Sequence, residues 1–271
     1  MSSIRRRTAL AAASVLALAA GLTACGSDAA TPAASSSPAG AGSSAAAPKA
    51  TGAITVFAAA SLKESFTELG KKFETANPGT KVTFNFAGSS ALAQSINSGA
   101  PADVFAAASP ATMKTVVDAR GAETSKVFVR NTLAIAVPKG NPKHISGLAD
   151  LTGVKVALCA KEVPCGSAAV TALAAGGVNL TPVTLEQDVK GALTKVELGE
   201  VDASLVYRTD VRADTAKIDG VDFPEAAKAV NDYPIAALTK APNASAAAAF
   251  VAYIQSDEAK QVLTAAGFQT P

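Results

Sequence analysis

Short apolar runs alternate with amphipathic segments along most of the chain. Residues 54–58 form a mainly apolar run that is typical of a buried strand. The segment that follows, residues 62–75, carries apolar side chains at helical spacing: Leu62, Phe66, Leu69 and Phe73. Ser61 and Glu64 precede and begin this segment in the pattern of a capping box. A strand followed by a capped helix is therefore the first predicted unit.

The same alternation continues to the end of the chain. It predicts further strands at residues 81–86, 104–106, 132–137, 154–158, 203–207 and 233–238. It predicts helices at residues 90–98, 167–175, 189–198, 244–256 and 257–266. Such alternation favours an α/β fold with mixed, mostly parallel sheets and helices on both faces. Both halves hold a complete set of strands and helices, so we predict two lobes with a cleft between them: residues 51–131 plus 240–271, and residues 132–239.

The first fifty residues have a different composition from the rest. Three arginines, Arg5 to Arg7, precede an apolar run over residues 9–22, and Leu22-Thr23-Ala24-Cys25-Gly26 follows. This pattern predicts a signal peptide over residues 1–24 that ends in a lipobox, with Cys25 as the lipidated first residue. Residues 25–50 are rich in Ala, Ser, Gly and Pro, as in a flexible tether. We expect an extracytoplasmic protein held to the cell membrane by its lipid.

Charge and cysteine content narrow the function further. Without the three signal arginines the chain has 21 basic and 22 acidic residues, a net charge near −1, which argues against a nucleic-acid partner. Local dipoles would have to hold an anionic ligand. Beyond Cys25, the remaining cysteines are Cys159 and Cys165, and an oxidising compartment favours a disulfide between them. The alternative is a metal site, for which two sulfurs without nearby histidines are an incomplete ligand set.

The sequence contains few of the residues and motifs that indicate catalysis or the binding of organic solutes. The lone histidine, His144, falls in a predicted surface loop, and residues 51–271 have no Gly-x-Ser-x-Gly elbow, Ser-x-x-Lys pair or phosphate-binding loop. We therefore predict that the protein is not an enzyme. A sugar site would need stacking aromatics, yet there is no tryptophan and only three tyrosines. Arg208 is placed to reach a cleft and bind a carboxylate, although a solvent-facing position is the simpler interpretation.

Three predicted junctions between a strand and a helix carry small or hydroxylated residues: Ala58-Ala59-Ala60-Ser61, Ala87-Gly88-Ser89-Ser90 and Pro164-Cys165-Gly166-Ser167. Ligands of open α/β sheets bind beyond the carboxyl ends of strands, where helix N-termini offer free amides and partial positive charge. Together the junctions predict an anion site without a cationic side chain. Taken singly, each serine also fits an ordinary helix cap and Gly166 an ordinary turn.

All three junctions overlap segments that resemble periplasmic molybdate-binding proteins, a family with the type 2 periplasmic-binding-protein fold. The similar segments are residues 54–62, 86–93, 99–105, 131–133, 163–166, 188–193 and 205–210. The resemblance spans residues 53–268. It implies that the chain binds molybdate, and tungstate as well, and delivers it to an ABC permease with its ATPase. A monomer that needs no cofactor is expected; binding of sulfate or of a small organic solute is the alternative.

The resemblance also assigns the ligand donors. It implies that the oxyanion accepts hydrogen bonds from the hydroxyl and amide of Ser61 and of Ser89, the amides of Cys165 and Val189, and the Tyr207 hydroxyl. Molybdenum is then held as molybdate, without a direct metal ligand from the protein. Cys165 departs from the small residue common in the family, but any residue except proline supplies an amide. Asp103 and Asp188 lie near the assigned positions, where a turn or cap role fits equally well.

Overall fold

The computed structural model describes residues 50–271. The predicted signal peptide, the lipidated Cys25 and residues 25–49 of the predicted tether lie outside the described residues. Within residues 50–271, no helix is both long and apolar enough to cross a bilayer.

The described residues contain ten strands in two sheets. In chain order the strands are β1 Gly52–Ala59, β2 Thr80–Ala87, β3 Val104–Ala106, β4 Lys126–Asn131, β5 Leu133–Pro138, β6 Val156–Cys159, β7 Thr184–Glu186, β8 Ala203–Tyr207, β9 Ile218–Val221 and β10 Asn231–Ala237. The first sheet has the order β2-β1-β3-β10-β4, and the second has the order β7-β6-β8-β5-β9. Each sheet forms the core of one lobe, so the predicted two-lobed α/β fold is confirmed.

Each sheet combines parallel and antiparallel pairings in equal number. In the first sheet β1 pairs in parallel with β2 and β3, whereas β10 runs antiparallel to β3 and β4. In the second sheet β6 pairs in parallel with β7 and β8, whereas β5 runs antiparallel to β8 and β9. The sheets are therefore mixed, as predicted, but not mostly parallel. The antiparallel strands include two, β4 and β9, that the apolar pattern did not reveal.

Eight α-helices accompany these strands in the described part of the chain. They are α1 Lys63–Ala76, α2 Ser89–Asn97, α3 Pro110–Asp118, α4 Pro164–Ala175, α5 Val189–Glu197, α6 Arg208–Ala213, α7 Ala244–Ile254 and α8 Asp257–Ala265. Short 3-10 helices span Ala60–Leu62, Leu148–Leu151 and Pro224–Lys228. Helix α3, helix α6 and strand β7 were not predicted from the sequence.

Helices cover both faces of the first sheet because its central strand is apolar on both sides. Val56 of β1 belongs to a buried cluster with Phe66 of α1 and Phe250 of α7. The next residue, Phe57, points to the opposite face and packs in a second cluster with Leu92 of α2. Successive strand side chains alternate between faces, so a continuous apolar run requires cover on both. This packing fixes the carboxyl end of β1, where the candidate site begins.

The chain crosses between the lobes twice. The first crossing is at Thr132, between β4 and β5, as the predicted boundary at residue 131 requires. The second crossing lies between the 3-10 helix Pro224–Lys228 and β10, because β10 hydrogen-bonds to β3 and β4 of the first lobe. The predicted boundary at residue 239 is therefore wrong for residues 231–239. An apolar run shows that a strand is buried but not in which sheet.

Two predicted helix starts are also corrected. Helix α1 begins at Lys63 after the 3-10 helix Ala60–Leu62, and no side chain caps it, so the predicted capping box of Ser61 and Glu64 is absent. Helix α4 begins at Pro164 rather than at residue 167. Proline is well suited to the first turn of a helix because it has the right φ and no amide that needs a partner. Both corrections change which groups face the cleft.

Candidate functional site

A pocket between the two lobes contains all five predicted ligand-binding residues. Its cavity volume is only about 20 Å³. Its walls come from both lobes: Ala59, Ala60, Ser61, Ala87, Gly88, Ser89 and Ala108 from the first, and Val163, Pro164, Cys165, Asp188, Val189 and Tyr207 from the second. Pockets for drug-sized organic ligands measure about 300–1,000 Å³. This pocket therefore suits a small ion better than a sugar or an amino acid.

Each of the five residues occupies the end of a strand or the start of a helix. Ser61 lies in the 3-10 helix directly after β1, and Tyr207 is the last residue of β8. Ser89, Cys165 and Val189 lie in the first turns of α2, α4 and α5. First-turn amides have no carbonyl partner within their own helix and carry the positive end of its dipole. The pocket thus collects hydrogen-bond donors without a cationic side chain among its lining residues.

The Ser89 hydroxyl is oriented by the loop that follows β3. Its Oγ accepts a hydrogen bond of 3.0 Å from the amide of Ala108. The carbonyl of Ala108 in turn accepts a bond of 2.8 Å from Nδ2 of Asn231. Because the Ser89 oxygen is already an acceptor, its proton remains for an acceptor in the pocket. The predicted serine is therefore poised to donate.

A buried chain of polar groups orients the Ser61 hydroxyl. Its Oγ lies 2.9 Å from the Tyr233 hydroxyl, which also receives a long contact of 3.5 Å from Nδ2 of Asn131. An amide nitrogen can only donate, so the Tyr233 oxygen accepts from Asn131, whereas either hydroxyl can donate the bond between Tyr233 and Ser61. Burial, opposed by the Ser61 bond, raises the pKa of Tyr233 well above its usual value. Tyr233 therefore keeps its proton, and its bond to Ser61 fixes the position of the Ser61 oxygen at the pocket.

The Tyr207 hydroxyl is a buried donor without a protein partner. Tyr207 is 1% exposed, and its hydroxyl makes no hydrogen bond with any described residue, although Tyr233 and Asn231 are close. Burial, reinforced by Tyr233 and Asp210, raises the pKa of Tyr207 well above its usual value, so the hydroxyl keeps its proton. Buried hydroxyls without partners are uncommon because desolvation costs free energy. A ligand that accepts hydrogen bonds would remove this deficit.

Both neighbouring carboxylates are occupied by backbone amides. Asp188 is the N-cap of α5, where its Oδ1 accepts from the amide of Gly191 at 2.9 Å. Asp103 does not line the pocket, and its oxygens accept from the amides of Thr55 and Asn243 at 2.7 and 2.6 Å. The cap and turn roles left open by the sequence are therefore the ones observed. Both oxygens of Asp103 are engaged in this way, and Asp188 has one oxygen engaged as a helix cap.

The two other charged or titratable candidates lie away from the pocket. Arg208 forms an ion pair of 2.8 Å with Asp222, and it is absent from the pocket lining. His144 is exposed in the loop after β5. The described residues also contain no cluster of three or more histidine, cysteine or acidic side chains able to hold a metal ion.

The loop that supplies the Cys165 amide is closed by a disulfide. Cys159, at the end of β6, is bonded to Cys165 with the two Cα atoms 5.7 Å apart. The start of α4 also packs tightly on this strand end, since a Cβ on Gly166 would lie 1.9 Å from the carbonyl oxygen of Ala160. A glycine is needed at position 166 for this close approach. The disulfide and the glycine together fix where the Cys165 amide lies.

We expect the double substitution of Cys159 and Cys165 to serine to lower the free energy of unfolding by about 2 kcal/mol, because the loop entropy that the disulfide removes from the unfolded chain is restored. This corresponds to a loss of about 4–8 °C in Tm for a domain of this size. Thermal unfolding of the exported protein measures the change. A matched wild-type sample treated with a reductant is the control. An unchanged Tm in both would contradict a stabilising disulfide.

Sequence reasoning missed the residues that orient the donors. Tyr233 is 172 residues from Ser61 in the chain and Asn131 is 102 residues from Tyr233, and no local spacing links them. Gly88 was read only as part of a loop, yet a Cβ there would lie 2.2 Å from the carbonyl oxygen of Gln187 in the other lobe. The signal available was indirect: tyrosine is rare in this chain, and Asn131 precedes the predicted crossing between lobes.

Comparison with known proteins identifies the family. Residues 54–269 match the model of the bacterial extracellular solute-binding proteins. The chain belongs to this family. It is 44% identical over 259 residues to the molybdate-binding protein ModA of Mycobacterium tuberculosis, an alignment covering 94% of this chain and 95% of the relative. The resemblance to molybdate-binding proteins is therefore confirmed.

Solved structures agree with this family of extracellular solute-binding proteins. The substrate-binding domain of a candidate molybdenum ABC transporter from Clostridium difficile has a TM-score of 0.62 at 28% identity, covering 81% of this chain and 99% of that one. The sulfate-binding protein SubI of Mycobacterium tuberculosis has a TM-score of 0.70 at 19% identity, covering 80% and 86%. The latter similarity concerns the fold alone. Among solute-binding proteins, the fold therefore does not select the oxyanion.

Proposed function

We propose that this solute-binding protein captures molybdate in the pocket between its lobes and delivers it to an ABC permease. The observation that carries the proposal is a buried pocket whose polar groups donate, among them the Tyr207 hydroxyl, which has no partner among the described residues. Its similarity to a molybdate-binding protein at 44% identity supports this ligand. Tungstate has the same shape and charge, so we expect it to bind as well.

The chemistry of the pocket matches a fully deprotonated tetrahedral anion. Molybdate, tungstate and sulfate carry no proton near neutral pH and only accept hydrogen bonds. Phosphate retains a proton, which would need an acceptor, and the one carboxylate in the lining, Asp188, is held by Gly191 as the cap of α5 through one oxygen. Five or more bonds to a charged ligand contribute roughly 8–15 kcal/mol before ordering costs. Micromolar to nanomolar affinity follows.

The proposal extends to the location of the protein. A lipid on Cys25 would hold the protein at the outer face of the membrane, within reach of a permease in the same bilayer. We propose a monomer that binds and releases its ligand without catalysing a reaction on it. Sulfate is the competing ligand, because the same donors suit it and selection between the two depends on the radius of the pocket.

Calorimetric titration of the chain from residue 50 onwards tests the ligand. We expect saturable binding of molybdate and tungstate with Kd of about 1 µM or tighter, and sulfate at least tenfold weaker. Phosphate, which is similar in size to sulfate but still protonated, is the matched control for the donor-only pocket. If sulfate binds more tightly than molybdate, sulfate is the ligand instead. Absence of binding by all four anions would refute an oxyanion role.

A further inference from the structure

A lysine next to the pocket joins the two lobes. Lys190 is the second residue of α5 and follows Val189 directly. Its Nζ lies 3.0 Å from Oε2 of Glu64 on α1 of the first lobe. The same Nζ lies 3.0 Å from Oδ1 of Asp210 on α6 of the second lobe. One ammonium group therefore bridges a carboxylate from each side of the cleft.

The three charged groups are buried to different degrees. The side chain of Asp210 is fully buried, that of Lys190 is 23% exposed, and that of Glu64 is 49% exposed. Burial raises the pKa of Asp210 to about 6, although Lys190 and the Tyr207 amide oppose the rise. Burial disfavours charge on Lys190 too, but Asp210 and Glu64 outweigh it and raise its pKa. The raised pKa of Lys190 keeps its ammonium group charged at neutral pH.

The same cluster is linked through the backbone to two residues that line the pocket. Oδ2 of Asp210 accepts a hydrogen bond of 3.1 Å from the amide of Tyr207. Lys190 adjoins Val189, whose amide is another candidate donor. Neither Lys190 nor Asp210 lines the pocket. The cluster therefore acts on the site through the backbone, not by contact with the ligand.

We propose that Glu64, Lys190 and Asp210 form an interlobe latch that slows release of the bound anion, with Lys190 as its positioning residue. The inference rests on the proposed function. When the lobes separate, the contact between Lys190 and Asp210 stays within the second lobe, whereas the contact between Lys190 and Glu64 is broken. The closed form alone has the complete cluster, so the latch favours the state that retains the ligand.

Substitution of Glu64 by glutamine tests the interlobe contact. We expect molybdate to dissociate about three- to tenfold faster, because a half-exposed ion pair contributes about 1 kcal/mol and 1.4 kcal/mol is a factor of ten. The association rate should stay within about twofold, and the Tm of the ligand-free protein should not change. A merely structural role would lower this Tm and leave the dissociation rate unchanged.

Glu68→Gln is the matched control, because Glu68 lies one turn further along α1 and pairs with Lys72 of the same helix. The variants are compared by stopped-flow displacement on the purified protein at low salt and at 1 M salt. Salt screens exposed ion pairs, so the difference in dissociation rate between wild type and Glu64→Gln should be smaller at 1 M salt than at low salt. Lys190→Gln should release molybdate at least as fast as Glu64→Gln does. The double variant should release it no faster than Lys190→Gln alone.

Failure of the latch is distinguishable from failure of the proposed function. If wild type binds molybdate and Glu64→Gln releases it at the wild-type rate, the latch is refuted while the function stands. If wild type binds none of the oxyanions, the function fails. In that case the distance between two spin labels, one on each lobe, tests the latch in the ligand-free protein. A larger closed fraction in wild type than in Glu64→Gln supports it, and equal fractions refute it.

Discussion

Gly88→Ala is expected to weaken molybdate binding by about 100-fold or more while leaving the ligand-free protein folded. A Cβ at position 88 would lie 2.2 Å from the carbonyl oxygen of Gln187 and 3.4 Å from Cβ of Asp188, both in the other lobe. The first distance is far inside van der Waals contact, and backbone atoms cannot move aside as a flexible side chain can. The lobes would stop short of closure, and the donors of the two lobes would no longer reach one ligand.

The backbone at Gly88 does not itself require glycine. Its φ of −58° and ψ of 130° are open to any residue. The cost of the substitution therefore falls on the closed form and not on folding. We expect an unchanged Tm without ligand and loss of the Tm increase that ligand binding normally produces. Calorimetric titration and thermal unfolding, each with and without molybdate, measure the two effects.

Gly147→Ala is the matched control for this glycine. Position 147 has an extended backbone, with φ of −173°, and a Cβ there would meet nothing within 4 Å. This variant should bind as wild type does. Wild-type affinity in Gly88→Ala would mean that the closure described here is not the ligand-bound form.

Tyr207→Phe should reduce affinity for molybdate by about 10- to 100-fold, because a hydrogen bond to a charged group contributes about 1.5–3 kcal/mol. The free protein should be as stable as wild type or more stable. Its Tyr207 hydroxyl is buried without a hydrogen-bond partner among the described residues, so removing it relieves a desolvation cost. A loss of affinity without a loss of stability would identify the hydroxyl as a ligand group.

Tyr253→Phe provides the control, since the Tyr253 hydroxyl is also buried without a partner among residues 50–271. Tyr253 lies on α7 and does not line the pocket. Its removal should leave the affinity unchanged. If both variants lose affinity equally, the effect of Tyr207 is not local to the site. If neither does, the Tyr207 hydroxyl does not contact the ligand.

The candidate site was largely predictable from the sequence because its groups are local to loops. Ser61, Ser89 and Cys165 lie in junctions that are visible as a switch from apolar runs to small residues, whereas Val189 and Tyr207 were assigned by the resemblance to molybdate-binding proteins. Helix N-termini supply amides whatever the side chain is, so Cys165 and Val189 needed no chemical signature of their own. That these residues donate to molybdate remains a prediction.

Predictions that depended on partners distant in sequence were less successful. The sequence pattern of Ser61 and Glu64 fitted a capping box. In the structure, Ser61 instead hydrogen-bonds to Tyr233, and Glu64 forms an ion pair with Lys190. The strand predicted at residues 233–238 is present as β10, Asn231–Ala237, but it was assigned to the wrong lobe. In both cases the local pattern was compatible with two arrangements. Contacts with residues more than 100 positions away selected one of them.

The sequence by itself determined the α/β alternation, the two sets of strands and helices, and the loops that carry the donors, because these follow from apolar periodicity over a few residues. Only the tertiary structure decided which donors share one pocket and which neighbours orient their protons. It also decided that Gly88 must be small and that Lys190 joins the lobes. These features arise where separate segments meet across the cleft, and local periodicity contains no information about the side chains on the opposite side.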